Sequence, residues 1–216
     1  MNIALIGLGS MGYNLAKNMV SKNYQVNAFE KNMLIVENIK NDNIQNLYLL
    51  NSIQDLVDKT PSPRIIMLSL PADKIDKCIN DLIDHLNPRD IIADLGNSLF
   101  LKSMERENLL SRHNISFLGI GVSGGPRGAK NGPAIMAGGS KNAWENVKNI
   151  FEDISAKNDN ESACCYFGSS GSGHFVKLVH NGIEYALMEG LAEISNVLEF
   201  AYDMDNNQRA KRFKEV

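Results

Sequence analysis

The sequence predicts an α/β fold in which a doubly wound, mostly parallel sheet is followed by a long helix that begins a second, helical domain. Three observations predict this architecture. Short runs of Ile, Leu, Val and Phe alternate with longer polar stretches of helical period, which is the pattern of β-α-β units. A glycine-rich loop follows the first such run. After residue 173, one apolar-periodic stretch continues without proline for about 29 residues, longer than most globular helices.

The predicted strands and helices alternate along the chain. Short apolar runs predict strands at Asn2–Ile6, Gln25–Phe29, Arg64–Leu68, Asp90–Asp94 and Ser116–Ile120. Helical periodicity predicts helices at Met11–Val20, Met33–Ile39, Ala72–Leu86, Leu99–Leu110 and His174–Tyr202. The charged side of the helix at 72–86 is interpreted as a solvated surface. A change of character near residue 170 predicts a domain boundary there, with an α/β domain at 1–171 and, at 172–216, the long helix as the first helix of a helical domain.

Composition and charge exclude several classes of protein. Of 216 residues, 44% are hydrophobic and 22% are charged, which is typical of a globular protein with a sizeable core. The net charge of −3 provides no basic field for nucleic acid or an anionic membrane. Because the sequence shows neither a membrane span nor a signal peptide, we expect a cytoplasmic protein. The three cysteines lack metal-site spacing and predict reduced, structural thiols.

The glycine-rich loop is the strongest local motif. It reads G-x-G-x-x-G between the first strand and the first helix, and it consists of Gly7, Leu8, Gly9, Ser10, Met11 and Gly12. The first glycine permits a tight turn, the second lets the backbone approach a pyrophosphate, and the third lets helix and strand pack closely. This context predicts a Rossmann-type dinucleotide site at a helix N-terminus, and a purely structural turn is the alternative.

Glu30 directly follows the second predicted strand, at the position where dinucleotide-binding folds place an acid. A carboxylate there accepts hydrogen bonds from the adenosine ribose and repels a 2′-phosphate, which favours NAD. Lys31 follows and can attract that phosphate instead, so NADP stays open. A surface Glu-Lys pair without a role in binding is the third alternative.

The long helix has the pattern of a catalytic surface. Lys177, Asn181 and Glu184 are four and three residues apart, which places them on one helix face. A base and an acid placed in this way can flank a small polyol. The segment also contains two histidines and the helix-weakening Gly182, which suggests close approach of a ligand or a partner backbone. Neither histidine has metal-ligand spacing, so we expect no metal, and ordinary surface charges are the alternative for the pair.

Together these motifs resemble the N-terminal part of the 6-phosphogluconate dehydrogenase family. The resemblance covers essentially all 216 residues, and its matching segments are Gly7–Gly12, Asp94–Ser98, Gly121–Gly125, Gly128-Ala129, Asn131–Pro133 and Gly173–Tyr185. It implies oxidative decarboxylation of a sugar-acid phosphate, 6-phosphogluconate, to ribulose 5-phosphate and carbon dioxide with reduction of NADP or NAD. It further implies a place in the pentose phosphate pathway and gluconate utilization, and a homodimer formed through the helical region.

The resemblance also implies roles for individual residues. Lys177 corresponds to the general base for the C3 hydroxyl of the substrate, which requires a lowered lysine pKa, and Glu184 to the general acid that protonates C1 of the enediol left after decarboxylation. The implied substrate ligands are Asn97, Ser123, Gly124, Gly125, His180, Asn181 and Tyr185. The implied coenzyme contacts beyond the glycine loop are Glu30, Lys31, Asn32, Ser69, Leu70, Pro71 and Asn97. For Asn97 a simple turn, with Ser98 capping the next helix, is the alternative.

The chain departs from the family pattern in sequence and in length. Pro126-Arg127 stands where the family usually has acidic residues, and members continue into a further helical domain. We therefore expect a fragment or early-terminated form that binds coenzyme but turns over poorly alone. Its apolar helix at 174–202 is expected to self-associate.

Two other functions stay open. A β-hydroxyacid dehydrogenase of the 3-hydroxyisobutyrate type shares the glycine loop, the Ser-Gly-Gly segment and the Lys-x-x-x-Asn pair, although Glu184 and Tyr185 argue against it. A nucleotide-binding module without turnover is the second alternative.

Overall fold

The structure is a computed structural model that describes residues 2–159 and 161–215. Its contacts divide the chain into two compact units, Met1–Lys177 and Leu178–Val216. The first unit contains the sheet and the helices that cover it. The second contains most of the long helix and the helix that follows it.

The first unit alternates strands and helices. Its elements are β1 (Asn2–Ile6), α1 (Ser10–Ser21), β2 (Val26–Phe29), α2 (Met33–Asp42), β3 (Leu47–Leu50), α3 (Ile53–Lys59), β4 (Arg64–Leu68), α4 (Ala72–Ile83), β5 (Ile91–Asp94), α5 (Phe100–Ser111), β6 (Ser116–Ser123), α6 (Gly125–Asn131), β7 (Ala134–Gly139), α7 (Lys141–Ile154), β8 (Lys157–Asn158), β9 (Glu161–Ser162) and β10 (Cys164–Tyr166). The long helix α8 (Ser172–Phe200) begins in the first unit and continues into the second, where α9 (Asn206–Lys214) follows.

Among the described residues, the main sheet has eight strands in the order β10-β7-β6-β5-β4-β1-β2-β3. All neighbouring strands are parallel except β6 and β7, which are antiparallel. The chain moves outward from β1 to β3 and then returns to the other side of β1 with β4. Such a reversal opens a crevice at the carboxyl ends of the strands, where doubly wound sheets bind ligands.

The predicted fold class is confirmed, and several element boundaries differ from the prediction. β6 continues past Ile120 to Ser123, because its last residues pair with the antiparallel β7. α4 ends at Ile83 instead of Leu86, because the following N–H groups donate to carbonyls only three residues earlier. α8 covers 172–200 instead of 174–202. The prediction did not include β3, α3, α6, β7, α7, β8, β9, β10 or α9.

The two faces of the sheet support two hydrophobic clusters. Ile3 and Leu5 of β1 point into the cluster that contains α1 and α7, whereas Ala4 and Ile6 point into the cluster that contains α4. This alternation follows from the two-residue period of a strand. Both faces are therefore covered, which explains why the central strand β4 is buried along its whole length.

Glycines allow the beginning of α8 to lie directly on the sheet. A Cβ atom at Gly138 would lie 2.2 Å from the backbone nitrogen of Gly173, and one at Gly173 would lie 2.2 Å from the carbonyl oxygen of Gly119. A Cβ atom at Gly121 would lie 2.5 Å from the Cβ of Lys177. The first turns of α8 thus contact the backbone of β6 and β7, with no room for intervening side chains.

We expect Gly138→Ala to destabilise the protein, because the new methyl group must displace helix backbone. Overpacking of this kind costs about 1–3 kcal/mol or more in the free energy of unfolding, measured by urea denaturation. Gly128→Ala is the matched control, since a Cβ atom there would lie 3.6 Å from its nearest neighbour, an ordinary contact. Equal unfolding midpoints for the two variants would show that the close contact with α8 is not needed for stability.

Candidate active site

The glycine-rich loop has the geometry that binding of a pyrophosphate requires. Gly7 has a φ of +92°, and a Cβ atom at Gly12 would lie 2.0 Å from the carbonyl oxygen of Gly7. These two glycines are therefore needed to bring the loop and α1 together. At Gly9, by contrast, no described atom lies within 4 Å of a Cβ position, so the backbone of the loop is open to an approaching ligand. Leu8 is buried, while Ser10 is exposed at the first turn of α1.

The carboxylate of Glu30 is held against this loop. One carboxylate oxygen accepts a hydrogen bond of 2.7 Å from the backbone N–H of Leu8, and the other accepts one of 2.8 Å from that of Asn32. The side chain of Asn32 in turn caps α2 by accepting from the N–H of Leu34. Lys31 is exposed. The acid is thus fixed beside the glycine loop, with an exposed cation next to it in sequence.

The segment Ser69–Leu70–Pro71 packs against the same loop. The N–H of Ser69 donates to the carbonyl of Ile6 at 2.9 Å, and a Cβ atom at Gly7 would lie 2.4 Å from the carbonyl oxygen of Ser69. Leu70 bridges to the next loop, because a Cβ atom at Gly96 would lie 2.8 Å from its carbonyl oxygen. The loops that follow β1, β4 and β5 therefore meet at one edge of the sheet.

The loop that carries Asn97 is organised by a buried aspartate. Asp94 ends β5, and one of its carboxylate oxygens accepts from the N–H of Gly96 at 2.9 Å. The other accepts from the hydroxyl of Ser98 at 2.6 Å and from Arg106 at 2.8 Å. Asn97 lies exposed between these fixed points. Ser98 does not cap the next helix, since Leu99 is the N-cap residue and makes no side-chain cap.

Arg106 connects this loop to α4 as well as to β5. Its guanidinium donates to Asp94 and to the hydroxyl of Ser98, and its Nε donates to Asp76 at 2.6 Å. Arg106 is only 4% exposed, so this cation is compensated by two carboxylates. The interpretation of the charged side of α4 as solvated surface alone is therefore wrong at Asp76.

The Ser-Gly-Gly segment lies at the end of β6. Ser123 is the last residue of the strand, whereas the prediction placed it after the strand, and Gly124 and Gly125 turn the chain into α6 with φ values of +124° and +60°. Such values favour glycine at both positions. Arg127 is exposed in the first turn of α6, directly after Pro126.

Lys177 and His174 are one turn apart at the beginning of α8 and are both buried. Lys177 is 7% exposed, and its side chain starts against Gly121 of β6. The ring of His174 is 1% exposed, and its Nδ1 lies 2.6 Å from the hydroxyl of Ser103 on α5. Burial lowers the pKa of His174; the nearby Asp94 opposes this shift, while Arg106 adds to it. The ring is therefore neutral near pH 7.

The remaining predicted residues belong to the second unit and lie on consecutive turns of α8. His180 Nδ1 lies 3.2 Å from the side-chain oxygen of Asn181 and 3.7 Å from a carboxylate oxygen of Glu184. These three side chains are thus neighbours on the helix. Tyr185 is 67% exposed. Around Gly182 no described atom lies within 4 Å of a Cβ position, so the structure shows no close neighbour at this glycine.

Within the first unit, most of the predicted residues meet at one edge of the sheet. The glycine loop, Glu30, Ser69 and Leu70 are joined by the contacts above, and Gly96 links them to the loop of Asn97. β5 and β6 are parallel, and Asp94 is the register partner of Gly119. Ser123 and the start of Lys177 therefore lie along β6 toward this same edge.

Sequence reasoning missed the buried polar residues behind this edge. Ser103, Arg106 and Leu110 are the buried residues of α5, so two polar side chains occupy its inward face. The spacing of Ser103 and Arg106 places them on the same helix face as Leu110, and this spacing can be read from the sequence. Their partners, Asp94 and His174, become evident only when the sheet is assembled.

Metal-binding clusters and membrane-spanning helices are both absent from the described residues. In residues 2–159 and 161–215, no group of three or more His, Cys, Asp or Glu side chains is placed to hold a metal ion. No helix in this part of the chain has the length and apolar character needed to cross a bilayer.

Burial raises the pKa of Cys78 and of Cys164 to about 12, so both thiols are protonated near pH 7.

Comparison with known families matches nearly the whole chain. Residues 2–168 match the model described as the NAD binding domain of 6-phosphogluconate dehydrogenase, and residues 173–216 match that of the 6-phosphogluconate dehydrogenase C-terminal domain. The decarboxylating 6-phosphogluconate dehydrogenase of Buchnera aphidicola is 39% identical over 98% of this chain and 46% of its own length. That of Candida albicans is 42% identical over 92% of this chain and 39% of its own length. The chain thus spans less than half of these curated relatives.

Solved structures share the fold over the whole chain. Plasmodium falciparum 6-phosphogluconate dehydrogenase, solved in apo form and in complex with its cofactor NADP+ and with its substrate 6-phosphogluconate, has a TM-score of 0.92 at 32% identity, covering 100% of this chain and 47% of its own. Mycobacterium tuberculosis 3-hydroxyisobutyrate dehydrogenase has a TM-score of 0.81 at 20% identity, covering 100% of this chain and 71% of its own, which shows the fold alone. Because the dinucleotide-domain model alone matches residues 2–168, the chain belongs to the 6-phosphogluconate dehydrogenase family.

Proposed function

We propose that this chain provides the coenzyme site and the proton-transfer residues of an oxidative decarboxylase that acts on 6-phosphogluconate. The observation that carries the proposal is the convergence of the glycine loop, the Asn97 loop, Ser123 and Lys177 toward one edge of the sheet. A dinucleotide at the loop and a polyol beside Lys177 would then be neighbours. In the cell, we place this reaction in the cytoplasmic pentose phosphate pathway and in gluconate utilization.

The residues present fit a nicotinamide dinucleotide. The backbone over Gly9 is open, and Glu30 is fixed where it can meet the adenosine ribose. Lys31 and Asn32 follow at the exposed end of β2, and Ser69, Leu70 and Pro71 line the neighbouring loop. When bound, the coenzyme supplies the acceptor for the hydride that leaves C3 of the substrate.

Lys177 is assigned the role of general base. Its neutral amine takes the proton of the C3 hydroxyl as that carbon becomes a ketone, and the resulting ammonium stays beside the new carbonyl oxygen. A positive charge there stabilises the negative charge that develops on this oxygen when C1 is lost as carbon dioxide. Lys177 is 7% exposed, so this proton transfer takes place largely out of contact with bulk water.

Glu184 is assigned the role of general acid. It donates a proton to the carbon that carried the carboxylate, and ribulose 5-phosphate results. His180 and Asn181, its neighbours on α8, are assigned to the substrate together with Tyr185, Asn97 and the Ser123–Gly124–Gly125 turn. Backbone N–H groups of such a turn can hold a carboxylate. In the domain arrangement that we propose, residues 172–216 are the first helical part of a C-terminal domain.

Release of carbon dioxide from 6-phosphogluconate, with one coenzyme reduced for each molecule released, tests this function. We expect slow turnover by this chain, and a further loss of about 10²–10⁴-fold in Lys177→Met and in Glu184→Gln, because each variant removes a proton-transfer group. Glu189→Gln is the matched control on the same helix, where the side chain is exposed. Coenzyme reduction without carbon dioxide would favour a 3-hydroxyisobutyrate-type dehydrogenase. Coenzyme binding without substrate affinity would favour a module without turnover.

We further propose that Glu30 makes NAD the preferred coenzyme. The support is its carboxylate, which is fixed by two backbone N–H groups and cannot easily turn away from a 2′-phosphate. In Glu30→Ala we expect the ratio of NADP to NAD affinity to rise about tenfold, since a repulsive charge is removed. Titration of both coenzymes measures this ratio. Lys31→Ala is the control and should lower the ratio, and an unchanged ratio in Glu30→Ala would remove the argument for NAD.

The exposed side of α8 supports a proposal of self-association as a homodimer. Within the second unit, apolar side chains including Ile183, Leu187, Leu191 and Ile194 are more than half exposed. Exposed apolar surface of this extent is typical of a face that binds another surface. We expect light scattering to detect dimers, and Leu187→Glu to shift the population toward monomer. A monodisperse monomer at high protein concentration would contradict this proposal.

A further inference from the structure

Helix α5 lies between the two segments that the proposed function assigns to substrate binding and proton transfer. Ser103 and Arg106 are three residues apart, so they share its inward face. Ser103 is fully buried and holds the ring of His174 on α8, and Arg106 holds Asp94 at the base of the Asn97 loop. One turn of one helix therefore contacts both segments.

His174 also faces the loop directly. Its Nδ1 is bonded to Ser103, while its Nε2 makes no hydrogen bond of full geometry with the described residues. The backbone carbonyls of Asp94 and Gly96 nevertheless lie close enough to favour the charged form of the ring. The same edge of the ring lies over β6, because a Cβ atom at Gly119 would be 3.0 Å from Nδ1. Strand, loop and helix thus enclose the ring.

The position of Lys177 follows from that of His174. The two residues are one helical turn apart, and they lie over Gly119 and Gly121, which are alternate residues on one face of β6. A shift of the ring would therefore move the start of the Lys177 side chain along the strand. Similarly, loss of the bonds from Arg106 would release Asp94 and Ser98, the two residues that fix the ends of the Asn97 loop.

We propose that Ser103, Arg106 and His174 form a brace that positions Lys177 and the Asn97 loop relative to each other. In this arrangement the three side chains are positioning residues, and they act through Lys177 and Asn97. The functional meaning of the brace rests on the proposed function, because it assumes that these two residues meet one substrate. The mechanical coupling itself can be measured without coenzyme or substrate.

The coupling is tested by the rate at which the amine of Lys177 is acylated in the native chain, measured residue by residue with mass spectrometry. The exposed Lys22 serves as the internal reference. In Ser103→Ala we expect Lys177 to react about fivefold faster relative to Lys22, because the hydrogen bond to His174 is lost. In Ser98→Ala, which weakens only the loop end of the brace, we expect an increase of about twofold. If Ser98→Ala leaves the rate at Lys177 unchanged, the coupling between loop and helix is overturned.

Further variants separate positioning from a general loss of stability. Ile39→Val removes a methyl group from the hydrophobic cluster that contains α1, on the other face of the sheet, at a residue that takes no part in the hydrogen bonds of the brace. If this variant and Ser103→Ala increase the acylation rate of Lys177 equally for the same loss in the free energy of unfolding, the brace is overturned. His174→Asn keeps a polar atom near the position of Nδ1, whereas His174→Leu does not. We therefore expect Lys177 to be acylated almost as slowly in His174→Asn as in the unmodified chain, and faster in His174→Leu. Equal rates in the two variants would also overturn the proposal.

Coenzyme titration distinguishes failure of the brace from failure of the proposed function. We expect Ser103→Ala to weaken NAD and NADP binding about twofold through the Asn97 loop, with the glycine loop unchanged. Absence of coenzyme binding in the unmodified chain would contradict the proposed function, and the acylation rates would still decide on the brace. Normal coenzyme binding with identical acylation rates in all variants would overturn the brace alone.

Discussion

The direct contact between the beginning of α8 and the backbone of β6 and β7 is the constraint on which the rest of the site depends. Glycines at 119, 121 and 138 remove the side chains that would otherwise separate the helix from the sheet. Lys177 therefore starts from the surface of β6 itself, and Ser123 lies two residues further along the same face. A contact between backbones leaves little freedom for relative motion, which suits groups that must act on one small substrate.

In the other half of the site, glycines of the glycine loop likewise allow two backbone segments to come into contact. Gly7 and Gly12 bring α1 against the end of β1, and the loop after β4 fills the space that their missing side chains leave. In both halves, glycine is required by a neighbouring backbone. Gly9 differs because its open side faces no described atom, so its freedom is available to a ligand. The distinction between structural and ligand-facing glycines is thus visible within a single motif.

Local signals determined how much of this architecture could be predicted. Strands such as β4 and the apolar side of α4 are encoded by nearby residues, so the spacing of hydrophobic residues in the sequence predicts them. The inward face of α7 is equally periodic, since Trp144, Val147, Phe151 and Ile154 are all buried, so this helix was within reach of the same reasoning. β7 could not be predicted in this way, because Gly138 and Gly139 weaken its strand signal. The presence of these glycines is explained only by their contacts with α8 and β6. Partners such as Arg106 and Asp94 depend on assembly of the sheet.

The charge distribution shows why the buried ion pairs matter for a chain of net charge −3. Both ligands of the proposed function, a phosphorylated sugar acid and a dinucleotide, are anions, which uncompensated carboxylates at this edge of the sheet would repel. Asp94 is paired with Arg106, and Glu30 accepts hydrogen bonds from the backbone N–H groups of Leu8 and Asn32. Exposed cations, Lys31 and Arg127, follow the ends of β2 and β6. In the proposed function these local cations attract the anionic ligands, Asp94 shapes the Asn97 loop, and Glu30 repels a 2′-phosphate.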